Sequence, residues 1–390
     1  MSSILHISYD LRGRNNNEVT SAVRNLINES SKYLNTLTID LLRVPRFKEE
    51  MIVREKFNYI KFNVFGFRRG IFLIRHLNRA YKKIKRTLIN ENLNLDDVKY
   101  VFAHKLTFEG YIANKIAREK KVPLFLTIRG TDLVVQKYRP DLLPIYQSVL
   151  IYASKIFILQ PAIKNKLLKL YGERFYKQHI KNKITFLPNI IDKPKEIFIG
   201  EVDEKQFLLV SRMQRKTVIN KNLKRLLKAF SLLKEKNYIL NIIGGGDYTY
   251  KVEEWIKKFH LNERVKLLGS VDHSKINEYY SKSFAYLMPS ISESFGMAYI
   301  ESLLNGTPIL YPKGSWEGYF GEVGSVANPF DINSIKEAIE DIIENNNQYR
   351  TNIQELLRTD TFNIFDADYI DKLLEEILIQ EKSEVPYLQP

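Results

Sequence analysis

The sequence of 390 residues contains no cysteine. Disulfide frameworks, thiolate nucleophiles and cysteine-based zinc sites are therefore excluded. The six histidines also lack the spacing of metal ligands, so we expect neither a metal nor another cofactor. A chain without cysteine suits a reducing compartment, and we expect a cytoplasmic protein.

Long apolar runs are missing as well. The best candidate for a membrane span, residues 149–163, contains Lys155 and Gln160 and is shorter than the ~20 residues that a bilayer requires. The N-terminus enters a short apolar run without a basic stretch and a long apolar segment, so no signal peptide is expected. The motif Gly-x-Gly-x-x-Gly followed by an acidic strand end is also absent, which argues against an oxidoreductase.

Charge is distributed unevenly along the chain. Residues 1–200 hold 37 Lys and Arg against 17 Asp and Glu, whereas residues 201–390 hold 23 against 28. A strongly basic first half predicts a polyanionic partner, which could be an anionic membrane surface, a nucleic acid or a phosphorylated acceptor.

Short apolar runs alternate with amphipathic helical patterns, which predicts an α/β protein with parallel sheets. A chain of this length is expected to form two domains, since one core rarely grows beyond about 250 to 300 residues. Turn-forming residues at 188–194, followed by polar residues 201–204, mark the linker. Strands are predicted at residues 4–8, 36–42, 100–103, 124–128, 156–159, 184–187, 207–210, 239–243, 265–268, 285–288, 309–311 and 325–326.

Ligands of doubly wound domains bind at the carboxyl ends of the strands. After one such strand we expect a helix from about Ser294 to Gly306, whose free N–H groups and positive dipole end would suit a diphosphate. At 100° per residue, Glu301 shares a stripe with Met297, Ile300 and Leu304 and should be buried with a hydrogen-bonding partner. The alternative is that Glu293 caps the helix and Glu301 is a structural carboxylate.

Basic residues follow another strand of the second half. Arg212 comes directly after residues 207–210, and Lys221 precedes an amphipathic helix. Such cations could neutralise a leaving diphosphate without a metal. Lys221 could equally be a solvated lysine at a helix start, and the turn Gly244-Gly245-Gly246 is weak evidence by itself.

These motifs together resemble the retaining glycosyltransferases of family 4, also described as glycosyl transferases group 1, within the glycogen-phosphorylase-like GT-B superfamily. The resemblance rests on Ser211-Arg212, Lys221-Asn222-Leu223, the glycine turn and Glu293-x7-Glu301, and it reaches the first half through His104 and Arg129-Gly130-Thr131-Asp132. It implies a GT-B fold, in which two Rossmann-like domains face a cleft. Residues 1–195 would bind the acceptor, residues 196–368 would bind the nucleotide-sugar, and a helix within 369–390 would return to the first domain.

The resemblance also implies roles for single residues. Arg212 and Lys221 would hold the diphosphate, Glu301 the ribose hydroxyls, and Glu293 the transferred sugar. The backbone N–H groups of Phe295, Gly296 and Met297 would face the sugar and the phosphate. Gly244 and Gly245 would border the nucleotide. The acceptor hydroxyl would attack the face that the nucleotide leaves, so that the anomeric configuration is retained. The donor is expected to be a UDP-sugar, and catalysis would consist of positioning and charge stabilisation.

Three departures from the family pattern affect the predicted site. Arg129 stands where the family often has histidine, so it could recognise an acidic sugar or a phosphate, or it could pair internally with Asp132. Gly13 is the only glycine in the turn after the first strand, which weakens its predicted phosphate contact. Lys216 is a second candidate for the lysine that holds the diphosphate, although Lys221 fits the family motif better.

The acceptor side is predicted in the basic half. Residues 62–86, which include Arg68 and Arg69, are dense in aromatic and cationic side chains and could form a membrane-surface element. The alternative is a core helix with a solvated basic face. Asp132 and His104 are further acceptor-side candidates, although a lone histidine is as readily structural. A glycan or lipid-linked acceptor of surface polysaccharide or lipopolysaccharide synthesis would fit peripheral membrane association.

Competing functions remain open at this stage. A non-catalytic polyanion-binding or nucleic-acid-binding protein fits the sequence pI of about 9.5, but it has no use for the carboxylates of the acidic half. A nucleotide-sugar epimerase would use the same fold. A glycosidase is disfavoured, because Glu293 and Glu301 would lie roughly 12 Å apart at 1.5 Å rise per residue.

Overall fold

The computed structural model describes residues 2–9, 21–44, 59–65, 74–90, 95–191, 193–194 and 202–380. The chain divides into two compact units. Unit 1 comprises Met1–Ile190 and Ala367–Pro390, and unit 2 comprises Ile191–Asp366. These divisions fall within a few residues of the predicted boundaries at 195 and 368.

Unit 1 is built on a parallel sheet. Its strands are β1 (Ser3–Tyr9), β2 (Asn35–Val44), β3 (Tyr59–Phe65), β4 (Val98–Ala103), β5 (Leu124–Ile128), β6 (Lys155–Ile158) and β7 (Ile184–Phe186). They lie in the order β3-β2-β1-β4-β5-β6-β7, and every neighbouring pair is parallel. Because helices cover both faces of such a sheet, the inner strands are continuous apolar runs, and all five residues of β5 are buried.

The helices of unit 1 that precede the linker connect these strands. They are α1 (Ser21–Ser30), α2 (Ile74–Asn90), α3 (Phe108–Lys120), α4 (Gly130–Tyr138), α5 (Leu143–Tyr152), α6 (Ala162–Tyr171) and α7 (Glu173–His179), with 3₁₀ turns at Pro140–Leu142 and Lys181–Lys183. Side chains from α2, α3, α5 and α6 pack against one face of the sheet in a single core.

Residues 62–86, for which the sequence suggested either a membrane-surface element or a core helix with a solvated basic face, fall on two elements, and residues 66–73 lie outside the described ranges. Residues 62–65 belong to β3, an edge strand that the sequence did not predict, and α2 begins at Ile74. Leu77, Tyr81 and Ile84 of α2 are buried, whereas Arg79 and Lys82 are exposed. The described part of α2 is thus a core helix with a solvated basic face. Within the described ranges, no helix combines the length and apolar character needed to cross a bilayer.

Unit 2 has a second parallel sheet. Its strands are β8 (Asp203–Val210), β9 (Ile239–Ile243), β10 (Val265–Gly269), β11 (Ser283–Leu287), β12 (Ile309–Pro312) and β13 (Gly324–Ala327), in the order β10-β9-β8-β11-β12-β13. Its helices are α8 (Arg215–Asn220), α9 (Leu223–Ser231), α10 (Thr249–Lys258), α11 (His273–Lys282), α12 (Met297–Leu304) and α13 (Ile332–Leu357), followed by a 3₁₀ segment at Asp360–Phe365. The fold is therefore α/β with a parallel sheet in each unit, as the sequence predicted.

Local sequence explains where the helices of unit 2 begin. The Asp331 carboxylate accepts a hydrogen bond from the Asn333 N–H at 2.9 Å, which caps α13. In contrast, α12 begins at Met297, three residues later than predicted. Gly296 precedes it with φ +82°, a left-handed conformation that ends the loop and cannot belong to an α-helix. The N-cap residue is thus Gly296 and not Glu293, whereas the alternative of a structural Glu301 stays open.

The C-terminal segment returns to unit 1. Helix α14 (Ala367–Glu375) continues as a π-helical turn, Glu376–Gln380. Ile370, Leu374 and Ile377 are buried in a second core on the other face of the first sheet. At its rim, Lys32 Nζ lies 3.1 Å from an Asp371 carboxylate oxygen, and the Tyr33 hydroxyl donates to the Asp371 carbonyl at 3.2 Å.

We expect Leu374→Ala to destabilise the protein by about 2–5 kcal/mol, because it leaves a cavity in this core. Urea unfolding followed by circular dichroism measures the effect. Ile379→Ala is the matched control, since Ile379 is 58% exposed and its loss should change stability by less than about 0.5 kcal/mol. Equal effects of the two substitutions would show that α14 does not anchor the C-terminus.

Candidate functional site

The loops that carry the predicted donor residues gather at one edge of the second sheet. Strands β9, β8 and β11 are neighbours and parallel, so their carboxyl ends lie side by side. Ser211 and Arg212 follow β8, Gly244 follows β9, and the loop that ends at Gly296 follows β11. This is the edge at which doubly wound folds bind ligands.

Lys221 and Glu293 form an ion pair at this edge. The Lys221 ammonium lies 2.7 Å from a Glu293 carboxylate oxygen, and the two side chains are only 19% and 12% exposed. The other Glu293 oxygen accepts a hydrogen bond from the Ser294 N–H at 3.2 Å. Lys216 is exposed on α8. The structure thus brings Lys221, the residue preferred from the sequence, onto Glu293.

Glu301 has a protein donor of its own. The Tyr280 hydroxyl, from α11, donates to a Glu301 carboxylate oxygen at 3.1 Å. Burial first, and then the Glu301 charge, raise the pKa of Tyr280 well above its ordinary value, so the phenol keeps its proton. Glu301 is half-buried, as is Met297, whereas Ile300 and Leu304 are buried. The predicted buried stripe is therefore only partly correct, and Glu301 stays accessible to solvent.

The glycines of the site permit close backbone packing. Gly244 has φ +134°, and a side chain on it would collide with the Ser211 carbonyl oxygen. The Gly245 carbonyl accepts a hydrogen bond from the Met213 N–H at 2.9 Å. The turn after β9 is thus packed against the loop after β8. A side chain at Gly244 would displace this loop, which carries Arg212. Arg212 itself is exposed.

Trp316 supports the backbone of Phe295, just before the start of α12. The Trp316 indole donates to the Phe295 carbonyl at 2.6 Å, and its ring packs edge-on against the Phe295 ring. A side chain on Gly296 would collide with the Tyr299 ring. The first N–H groups of a helix have no partner within the helix. The start of α12 can therefore offer donors to an anion at the same edge as Lys221 and Glu293.

In unit 1 the predicted residues follow β4 and β5. The Asp132 carboxylate accepts a hydrogen bond from the Arg129 backbone N–H at 2.9 Å and another from the Thr107 hydroxyl at 3.1 Å. The Arg129 guanidinium donates through Nε to the His104 carbonyl at 3.1 Å. The internal contact of Arg129 with Asp132 therefore exists, but it uses the backbone and not the guanidinium.

His104 lies in the interior. It is 1% exposed, and its Nε2 is 3.1 Å from His6 Nδ1, while His6 Nε2 is 2.9 Å from the Ser30 hydroxyl. Ser30 donates its proton to the Ile27 carbonyl, so it accepts from His6. Burial lowers the pKa of His6 to about 3 and that of His104 below its ordinary value, so both rings are neutral and His104 donates to His6. The His104 ring is thus a buried structural group in this conformation, which favours the structural alternative, and its predicted contact with an acceptor stays a prediction.

Glu109 was not predicted from the sequence. It lies in the first turn of α3 and is 1% exposed, and its carboxylate is 3.7 Å from the Lys105 ammonium. Burial, opposed by Lys105 and reinforced by Asp132, raises the pKa of Glu109 to about 6. Burial also raises the pKa of Asp132. A single buried carboxylate has no periodic signature that would have identified it in the sequence.

Two further residues that support the site were not predicted from the sequence. Tyr280 and Trp316 carry no motif, so only the structure identifies them as partners of Glu301 and Phe295. Gly13, Arg68 and Arg69 lie outside the described residues. Among the described residues, no group of three histidine or acidic side chains could hold a metal ion.

Comparisons with known proteins agree with this geometry. Residues 192–357 match the family model of the glycosyl transferases group 1. The chain is 25% identical over 284 residues to the uncharacterized glycosyltransferase MJ1178 of Methanocaldococcus jannaschii, covering 71% of this chain and 73% of that protein.

Solved structures share the fold. Sucrose-phosphate synthase from Thermosynechococcus elongatus superposes with a TM-score of 0.69 at 17% identity, covering 97% of this chain and 99% of that one. Anabaena Alr3699/HepE in complex with UDP superposes with a TM-score of 0.68 at 15% identity, covering 98% and 100%. At these identities the likeness concerns the fold alone.

We expect Glu109→Gln to change the pH dependence of stability. Because the folded-state pKa of about 6 exceeds the ordinary value of 4.5, parent stability falls as pH rises through this interval. The glutamine variant lacks this titration, so its stability relative to the parent should rise by about 2 kcal/mol between pH 4 and 7. Urea unfolding at several pH values measures the difference, and a constant difference would contradict the buried carboxylate.

Proposed function

We propose that this chain, a glycosyltransferase of the GT-B fold whose residues 192–357 match the glycosyl transferases group 1, transfers a sugar from a UDP-sugar to a glycan or lipid-linked acceptor. The observation that carries the proposal is the edge of the second sheet, where the Lys221–Glu293 pair, Glu301 and the start of α12 lie together. UDP as the donor nucleotide is supported by the UDP complex of Anabaena Alr3699/HepE.

In the proposed complex, unit 2 holds the donor. Arg212 and Lys221 bind the diphosphate, to which the N–H groups of Phe295, Gly296 and Met297 add neutral donors. Lys216 is the second candidate for the lysine contact. Glu301 accepts hydrogen bonds from the ribose hydroxyls while Tyr280 holds its carboxylate, and Gly244 and Gly245 border the nucleotide. Glu293 contacts the sugar while Lys221 fixes its orientation.

The proposed transfer retains the anomeric configuration. The bond from the sugar C1 to the leaving phosphate oxygen breaks, and a bond from C1 to the acceptor oxygen forms on the same face. The acceptor proton passes to the leaving phosphate oxygen, so no carboxylate has to act as a nucleophile. This agrees with the engagement of Glu293 by Lys221 and of Glu301 by Tyr280. Because the two cations balance the diphosphate charge, we expect transfer without a metal.

The acceptor side is assigned to unit 1 on the basis of its charge. Arg79, Lys82 and Arg86 are exposed on α2. Between α2 and α3 lies an open, mainly apolar groove of about 210 Å³, lined by Leu88 and Ile116 among others. A basic face beside an apolar groove matches an anionic lipid, whose headgroup binds the cations while part of its acyl chain enters the groove. We therefore propose peripheral binding to an anionic membrane and a lipid-linked acceptor of surface polysaccharide or lipopolysaccharide synthesis.

The donor proposal predicts the effect of Glu301→Ala. We expect release of one nucleoside diphosphate from a panel of UDP-, GDP- and ADP-sugars by the parent, and a donor KM raised about 100-fold in the variant. Hydrogen bonds to a carboxylate contribute about 1.5–3 kcal/mol each and act in the ground state as in the transition state. Glu337→Ala, at an exposed position of α13, is the control and should behave as the parent.

Product analysis separates the alternatives. Transfer or hydrolysis of one donor supports a glycosyltransferase, and a sugar changed in configuration but still attached to its nucleotide indicates an epimerase. Neither turnover nor nucleotide binding across the panel, with and without anionic vesicles, would overturn the proposal. A salt-sensitive shift on RNA or DNA would then favour a polyanion-binding protein.

The membrane proposal predicts that replacing Arg79, Lys82 and Arg86 by alanine weakens binding to anionic vesicles about 100-fold. Each cation near such a surface contributes about 1 kcal/mol. Sedimentation with phosphatidylglycerol vesicles at low salt measures the partition. The control replaces Lys257, Lys258 and Lys266, which are exposed on unit 2, and should leave the partition unchanged. Equal losses in both triple variants would indicate only a net-charge effect.

A further inference from the structure

The junction between α8 and α9 is hydrogen-bonded to the loop that follows β11. The Ile291 N–H donates to the Asn220 carbonyl at 2.7 Å, and the Asn220 side-chain amide donates to the Ser292 carbonyl at 2.8 Å. Two residues on, the Asn222 amide donates to the Pro289 carbonyl at 3.0 Å. Between them, Lys221 reaches Glu293. Three consecutive residues thus contact four of the five loop positions between 289 and 293.

Asn222 also joins a third loop. Its amide nitrogen donates a second hydrogen bond, at 2.6 Å, to the Pro329 carbonyl after β13, and its oxygen accepts one from an Arg225 guanidinium nitrogen at 3.1 Å. The residue is 3% exposed. Both amide hydrogens and the carbonyl oxygen are therefore used, which fixes the orientation of the side chain.

The backbone of Asn222 explains why this residue type stands there. Its φ of +65° and ψ of +30° are left-handed, a conformation that glycine and asparagine adopt more readily than other residues. The Asn222 carbonyl accepts from the Leu226 N–H at 3.0 Å, so the residue ends one helix segment and begins α9. Glycine would allow the same turn, but only asparagine also supplies the two donors.

We propose that Asn220 and Asn222 are positioning residues of the donor site, which hold the 289–293 loop so that the Lys221 ammonium and Glu293 carboxylate stay in contact. This inference rests on the proposed function for its catalytic consequence. Neither asparagine needs to touch the substrate. Their effect passes through Lys221 and Glu293, because a displacement of about 1 Å in a catalytic group can lower the rate about 100-fold.

The test uses Asn222→Gly, which keeps the left-handed backbone and removes the amide, and Asn220→Ala, which removes one side-chain hydrogen bond. Asn346→Ala is the matched control. Asn346 is 5% exposed, donates to the Phe284 carbonyl at 2.9 Å and accepts from Arg350 at 3.0 Å, but it lies near the amino end of β11. Asn346→Ala therefore loses two side-chain hydrogen bonds, between the one lost in Asn220→Ala and the three lost in Asn222→Gly, and it does so at the opposite ends of the strands.

We expect Asn222→Gly to lower kcat about 100-fold and Asn220→Ala about 10-fold, while Asn346→Ala keeps the parent kcat at a similar loss of thermal stability. We also expect faster amide hydrogen exchange at Ile291 in both site variants and not in the control, because losing the side-chain bonds to Ser292 or Pro289 loosens the loop whose Ile291 N–H donates to the Asn220 backbone carbonyl. Unchanged kcat, or equal losses in all three variants, would overturn the inference.

The two proposals can fail separately. If the parent transfers no sugar, the proposed function fails, and the exchange rate of the Ile291 amide still reports whether the asparagines hold the loop. If the parent transfers sugar and Glu301→Ala impairs it, but the asparagine variants exchange and react as the parent does, the positioning role alone is overturned.

Discussion

The arrangement of the loops at the carboxyl edge of the second sheet depends on the contact between Lys221 and Glu293. This pair joins two segments that the chain separates by 72 residues. Lys221 lies at the junction of two helices after β8, and Glu293 lies in the loop after β11, so the pair bridges neighbouring strands at their carboxyl ends. Partly buried ions are stable only when each has a partner. The pair therefore requires the loops to meet, and the hydrogen bonds of Asn220 and Asn222 keep them together.

Unit 1 uses its polar residues differently. His6, His104 and Ser30 form a neutral hydrogen-bonded chain inside the unit, and Glu109 and Asp132 are buried near Arg129 and Lys105. Other cations of the unit are exposed and can reach a partner, among them Arg79, Lys82 and Arg86 on α2. Burial thus separates the residues that maintain the unit from those available to a polyanionic surface, although both sets lie in the same basic half of the sequence.

The two units are also maintained by different kinds of contact at their ends. In unit 1, α14 buries Ile370 and Leu374 against a second core, with Lys32 and Asp371 paired at the rim. In unit 2, the aromatic side chains of Trp316, Phe295 and Phe365 pack below the start of α12. The first contact fixes a distant segment of chain, and the second supports the backbone donors of the candidate site.

Patterns local to the sequence were enough to predict the alternation of strands and helices, and with it the parallel sheets and the edge at which Arg212, Lys221, Glu293 and Glu301 lie. These features depend on short apolar runs and turns, which are local in the chain. The tertiary structure alone decided which carboxylates are buried, that His104 points inward, and that Tyr280, Asn220 and Asn222 support the site. It also decided that α12 begins only after Gly296. Such features depend on contacts between residues far apart in the chain, for which periodicity carries no signal.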